Sequence, residues 1–110
     1  TCALPICRVV HLQWALVTST FTHTTASGSW NISGLPFANS ATANRIGVGS
    51  HYWQGITKAN YTQVVPVISV SASVLTALAS GSGQSATAIA AADMPTAGTV
   101  YSIGQLTHVV

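Results

Sequence analysis

Charge is almost absent from these 110 residues. Arg8, Arg45, Lys58 and Asp93 are the only charged side chains, 4 % of the chain, where a soluble domain carries about a quarter. A single carboxylate excludes, within one chain, any acid–base mechanism that needs two. Three scattered basic residues and a formal charge of +2 make no footprint for a nucleic acid, so none is expected as a partner. Cysteine is confined to Cys2 and Cys7, and no second pair follows to complete a zinc pattern. No basic start and apolar core mark a signal peptide. The most apolar run, Val64 to Ala79, is broken by Pro66, Ser69, Ser71, Ser73 and Thr76, and falls short of the about 20 residues that a spanning helix needs. Long segments of 3.6-residue period are missing too, which argues against helical and α/β classes.

What remains is a Ser/Thr/Ala/Val chain. Serine and threonine supply 27 residues and alanine 16, and 48 % of the chain is hydrophobic, the opposite of a disordered composition. A charged shell normally keeps a monomer soluble. Without one, much of this surface is expected to be covered by copies of the chain itself, or to rest on hydroxyls and amides.

The opening Thr1-Cys2-Ala3-Leu4-Pro5-Ile6 reads as a translated sequencing adapter. Residues 1–7 are therefore expected to be a non-native leader, and 8–110 a single β domain. The dominant period from there on is two. Between Arg8 and Val17, Val10, Leu12, Trp14 and Leu16 share one strand face. Ser29–Ser33 is a short strand with Trp30 and Ile32 on one face, ended by Gly34-Leu35-Pro36-Phe37. Arg45–Gln54 alternates Ile46, Val48, Ser50 and Tyr52 against Gly47, Gly49, His51 and Trp53; its two glycines predict a bulge or the close approach of another backbone. Tyr61–Val70, with Val64, Val65, Val67 and Ile68, is apolar on both faces, and Ser71–Leu78 continues as another strand. Residues 79–83 read as a turn, 86–92 as a loop or one helical turn, and Thr99–Val109 as the last strand, with Tyr101 and Ile103 on its apolar side. Six or seven short strands at this spacing predict an antiparallel all-β sandwich or barrel.

Few constellations carry chemistry. His11, His23, His51 and His108 include no His-x-His pair, so no metal is expected. A Gly-x-Ser-x-Gly elbow is absent, and Gly47-Val48-Gly49-Ser50 lies in a strand, so no catalytic set and no cofactor are expected. Gly81-Ser82-Gly83 lacks the lysine and helix of a phosphate loop. Asn31-Ile32-Ser33 and Asn60-Tyr61-Thr62 match the glycosylation pattern as chance occurrences. Tyr52 and Trp53 are the candidate glycan or receptor contacts, because adjacent strand residues point to opposite faces and one must face outward. Val10, Leu12, Trp14, Leu16, Trp30, Ile32, Phe37, Val65, Val67, Ile68, Tyr101 and Ile103 are the expected packing residues, in the core or between copies of the chain.

Gly28-Ser29-Trp30-Asn31-Ile32-Ser33-Gly34-Leu35-Pro36-Phe37, then Tyr61-Thr62-Gln63-Val64, then Asp93 and Gly98-Thr99-Val100-Tyr101-Ser102 occur in an order that resembles a recurring domain of tail-fibre and other virion proteins of bacteriophages and large algal viruses. The resemblance covers roughly Arg8 to Val110. It implies a trimeric jelly roll like the heads of tumour necrosis factor and complement proteins, lacking one or two strands that family members carry before the position of Arg8. The ending Leu106-Thr107-His108-Val109-Val110 departs from the family's usual Tyr-Arg-Thr-like close. The resemblance further implies a non-enzymatic virion domain, assembled in a bacterial host, that trimerises and meets a host-surface glycan. The rival readings are a carbohydrate-binding module of an enzyme and a bacterial adhesin domain.

Overall fold

A computed structural model describes residues 8–110. Thr1–Cys7, expected to be a non-native leader, lie outside the described residues, and with them both cysteines. The described chain is all-β, with antiparallel strands and no α-helix. Its strands are β1 (Val9–Thr18), β2 (Asn31–Ile32), β3 (Gly47–Gln54), β4 (Gln63–Ile68), β5 (Leu75–Gly81), β6 (Gln84–Ala88) and β7 (Val100–Val109), with one 3₁₀ turn at Ala91–Asp93. They form one seven-stranded sheet in the order β1-β7-β3-β4-β5-β2, with β6 also on β5. No helix of the described residues is long and apolar enough to cross a membrane. The apolar run 64–79 is mostly the antiparallel pair β4–β5, with Val64 opposite Ala79 and Ile68 opposite Leu75.

The sheet curls because β3 changes partner partway along. Gly47 and Val48 pair with β4, whereas Gly49–Gln54 pair with β7. The glycines make this possible. A Cβ on Gly49 would press into the Gln105 carbonyl and lie 2.8 Å from the Leu106 Cβ, and one on Gly47 would strike the Ile68 side chain. The expected close approach of another backbone is thus that of β7. Where β3 has left it, β4 has a free edge, so Pro66, which has no N–H to donate, sits inside β4 opposite Ala77 without breaking a ladder.

Two apolar clusters fill the curl. Ile56, Val64, Ala77, Ala79, Ile89, Met94 and Val100 form one, joined by Phe21, Trp30, Trp53 and Tyr61. Ile68, Leu75 and Leu106 form the other, joined by Leu12, Trp14, Ile32 and Leu35. Trp30, just before β2, and Ile32, inside it, read from the sequence as one strand face but serve different clusters, and only Ile32 shares one with Trp14. Of the expected packing residues, Val67 and Ile68 are buried, and Val10, Leu12, Trp14, Trp30, Ile32, Val65 and Tyr101 are half-buried. Leu16, Phe37 and Ile103 are exposed in the single chain.

Two stretches fold differently from their sequence reading. β5 begins only at Leu75, residues 71–74 being outside any strand with the left-handed backbone at Ser71 (φ 57°), and it runs on to Gly81 through a tighter turn with the left-handed backbone at Gly83 (φ 71°). Residues 84–88 pair with β5 as β6, and the helical turn is confined to 91–93. The small polar loop after Phe37 is anchored by buried Asn39, whose Nδ2 donates to the carbonyls of Arg45 (2.6 Å), Ser69 (3.2 Å) and Ile68 (3.3 Å).

Candidate functional site

Strand β7 turns two polar residues inward along with its apolar ones. Ser102 and His108 are buried with Leu106, while Tyr101, Ile103, Gln105 and Thr107 face the other way. Ser102 is satisfied there by a relay of polar groups across four strands. The Trp14 indole N–H on β1 donates to Ser102 Oγ on β7 at 3.1 Å. Ser102 Oγ lies 3.2 Å from His51 Nδ1 on β3, and His51 Nε2 lies 3.1 Å from the Val64 carbonyl on β4. A carbonyl only accepts, so Nε2 carries the proton. Nδ1 of the neutral ring then accepts from the Ser102 hydroxyl, whose oxygen is left to receive Trp14. His51 stitches β3 to β4 just where their backbones have separated. His108, farther along β7, is buried, and neither ring nitrogen is hydrogen-bonded among the described residues.

The relay is satisfied with His51 neutral. Burial pulls the His51 pKa below the ordinary 6.5, and the Val64 hydrogen bond only partly opposes this. Between the folded value and 6.5 the unfolded chain binds more protons than the folded one. The His51 contribution to stability is therefore complete above pH 6.5 and is lost as pH falls through 6.5 to the folded value. Melting temperatures recorded from about pH 8 to 5 should fall on acidification, more steeply than in His51→Gln. A wild-type curve no steeper than that of the variant would contradict the relay.

Asp93, the lone carboxylate side chain, is held in an ion pair. Its Oδ2 accepts from Lys58 Nζ at 2.8 Å and from the Ala90 N–H at 2.9 Å. Burial alone would raise its pKa, but the hydrogen bonds from Lys58 and Ala90 and the charge of Lys58 outweigh that and hold it below the usual value. Among the described residues no group of three or more histidine, cysteine or acidic side chains is placed to hold a metal.

The outer face of β1-β7-β3 is the surface with the most pronounced character. Register stacks its side chains in rows across the three strands: Gln13, Gln105 and Ser50, then Ala15, Ile103 and Tyr52, then Val17, Tyr101 and Gln54. None of these is charged. Between the first two rows runs a shallow groove of about 820 Å³, floored by Trp14, Gly104 and His51. Tyr52 is 59 % exposed. Its ring lies 6.1 Å from that of Tyr101, and its hydroxyl donates to Gln54 Oε1 at 3.1 Å. Of the candidate contact pair, Tyr52 is thus on this face, and Trp53 packs inward against the first cluster. The amides of Gln13 and Gln105 are not legible as site residues in the sequence: their convergence depends on cross-strand register, which a single sequence does not display.

Comparison with known proteins matches this chain to no family model, no curated protein and no solved structure.

Proposed function

We propose that this chain is a non-enzymatic assembly and attachment domain, a trimeric jelly-roll-type unit of a phage tail fibre or similar virion appendage. In this reading β1-β7-β3 is one layer of the jelly roll and the strands around β5 are the other. The observation that carries it is strand β1. Among the described residues β1 pairs on one side only, with β7. It has no charge, proline or bulge along Val9–Thr18, the devices that usually keep a sheet edge from pairing with another chain. Leu16 and Val17 are adjacent and face opposite ways, yet they are 44 % and 56 % exposed. An edge strand with exposed apolar side chains on each face offers a seam to be covered from the side, and a further copy of an uncharged chain meets no repulsion there. The order of motifs from Gly28 to Ser102 supports the virion setting.

Light scattering after size exclusion tests this. The expected mass is three times 11.3 kDa, falling to a single chain in Leu16→Lys. A well-dispersed wild-type monomer at micromolar concentration would overturn the trimer. The exposed tyrosine on the outer face would then favour the second reading, a carbohydrate-binding module.

A further inference from the structure

We infer that the groove on the outer face of β1-β7-β3 is a binding site for a neutral glycan, with Tyr52 as its stacking platform and Gln13, Gln105 and Ser50 as its hydroxyl readers. The inference rests on the attachment reading and gives it a ligand class.

Three observations select the occupant. The first is charge. The groove is lined by no Asp, Glu, Lys or Arg, so none of these charges is there to offset the desolvation of an anionic or cationic ligand. The second is the chemistry of the two banks. A pyranose ring has apolar C–H faces and an equator of hydroxyls, each both donor and acceptor. One bank offers Ala15, Ile103 and the exposed Tyr52 ring, the other two primary amides and a hydroxyl, groups that also donate and accept. Among the described residues, two side-chain hydrogen bonds mark this face, His11 Nδ1 with Thr107 Oγ1 and Tyr52 to Gln54. Gln13, Gln105 and Ser50 take part in neither, so their polar atoms are free to meet a ligand. The third is rigidity. The side chains of both banks stand on paired strands rather than loops, and the Tyr52 ring is braced by Tyr101 and by its bond to Gln54. A braced aromatic platform loses little conformational entropy on binding.

A protein surface would also cover an uncharged face. The Gln13–Gln105 row argues against it, because a dry interface would leave those amides to be desolvated without partners, whereas a sugar supplies hydroxyls to each.

Affinity electrophoresis through native gels containing dextran, galactomannan or a mixed-linkage β-glucan, with polygalacturonate as the anionic control, provides the test. At least one neutral polysaccharide should retard the wild-type chain. Tyr52→Ala should weaken that retardation at least tenfold and Gln105→Ala severalfold, whereas Tyr52→Phe, which keeps the ring, should stay within about threefold. Tyr52 is exposed, so Tyr52→Ala should fold; its melting temperature and its mass are measured alongside. Retardation by none of the neutral polysaccharides, retardation by polygalacturonate alone, or equal retardation of Tyr52→Ala would each overturn the inference. A fall in mass of Tyr52→Ala would do so as well, because the face would then belong to a contact between copies. A wild-type trimer that no neutral polysaccharide retards refutes the groove and spares the assembly reading; a wild-type monomer retarded through Tyr52 does the reverse.

Discussion

Gly104→Ala is expected to be severely destabilising. Gly104 sits in the middle of β7, opposite Trp14 on β1 and His51 on β3. A methyl group there would lie 2.6 Å from the Ser50 carbonyl oxygen and 2.7 Å from a ring carbon of Trp14, and would overlap the Cβ of His51. Trp14 can rotate aside only by giving up its bond to Ser102; the carbonyl and the Cβ cannot rotate away. Ordinary overpacking costs about 1–3 kcal/mol. Here relief requires β7 to part from β3 as well, so the loss should exceed about 3 kcal/mol, from a total of about 5–15 kcal/mol for a typical domain. The variant should be insoluble, or unfold at a far lower urea concentration. A stability within about 1 kcal/mol of wild type would show that the strands are not packed this closely.

Ile68→Ala should be the most damaging truncation of an apolar side chain. Ile68 is fully buried, pairs with Gly47 on one side and Leu75 on the other, and touches the space a Gly47 side chain would occupy. Truncating a buried isoleucine costs about 2–5 kcal/mol, according to how far the site can collapse. Gly47 has no side chain to move into the void, which places the expected loss in the upper half of that range. Ile68→Val should cost only about 0.5–1.5 kcal/mol. The pairing gives a sharper check. Gly47→Ala alone should be severely destabilising, yet in the Ile68→Ala background its methyl occupies the cavity, so the double variant should be more stable than the two separate losses imply. Strict additivity in urea unfolding would contradict the contact.

Both glycine and isoleucine positions have a character only half visible in the chain. Strict alternation locates β1, β3 and β7 to within a residue or two, and the β-branched run locates β4. Sidedness is harder. In β7, Tyr101 and Ile103 read as the apolar side, yet Ser102 and His108 are buried with Val100 and Leu106 on the other, and the Trp14–Ser102–His51 relay is what satisfies the serine there. Hydrophobicity alone does not encode a bond between residues 88 apart. β6 is hidden because Gln84-Ser85-Ala86-Thr87-Ala88 has small or polar residues where a strand usually shows branched ones; it exists because β5 offers a ladder. Tyr52 is legible as a surface aromatic, whereas the glutamine row beside it is a product of register. The buried Asn39 lies in a stretch that reads as polar loop, since its carbonyl partners come from two places that only the fold brings together, Arg45 before β3 and Ile68 and Ser69 at the end of β4.

The pairing of β1 with β7 joins residues some 82 to 100 positions apart. Closing so long a loop costs on the order of 4 kcal/mol in chain entropy before the ladder repays it, and contacts of this range slow folding. On a ribosome the delay is longer still. At about 5–20 residues per second, Val9–Thr18 emerges roughly 5 to 20 seconds before its partner strand exists. For that interval an uncharged, alternating ten-residue strand has no sheet to join and no lysine or proline to keep neighbours away. Nascent copies on one message would meet through this strand first, so soluble yield should depend on translation rate and growth temperature more steeply than the stability of the finished domain would suggest.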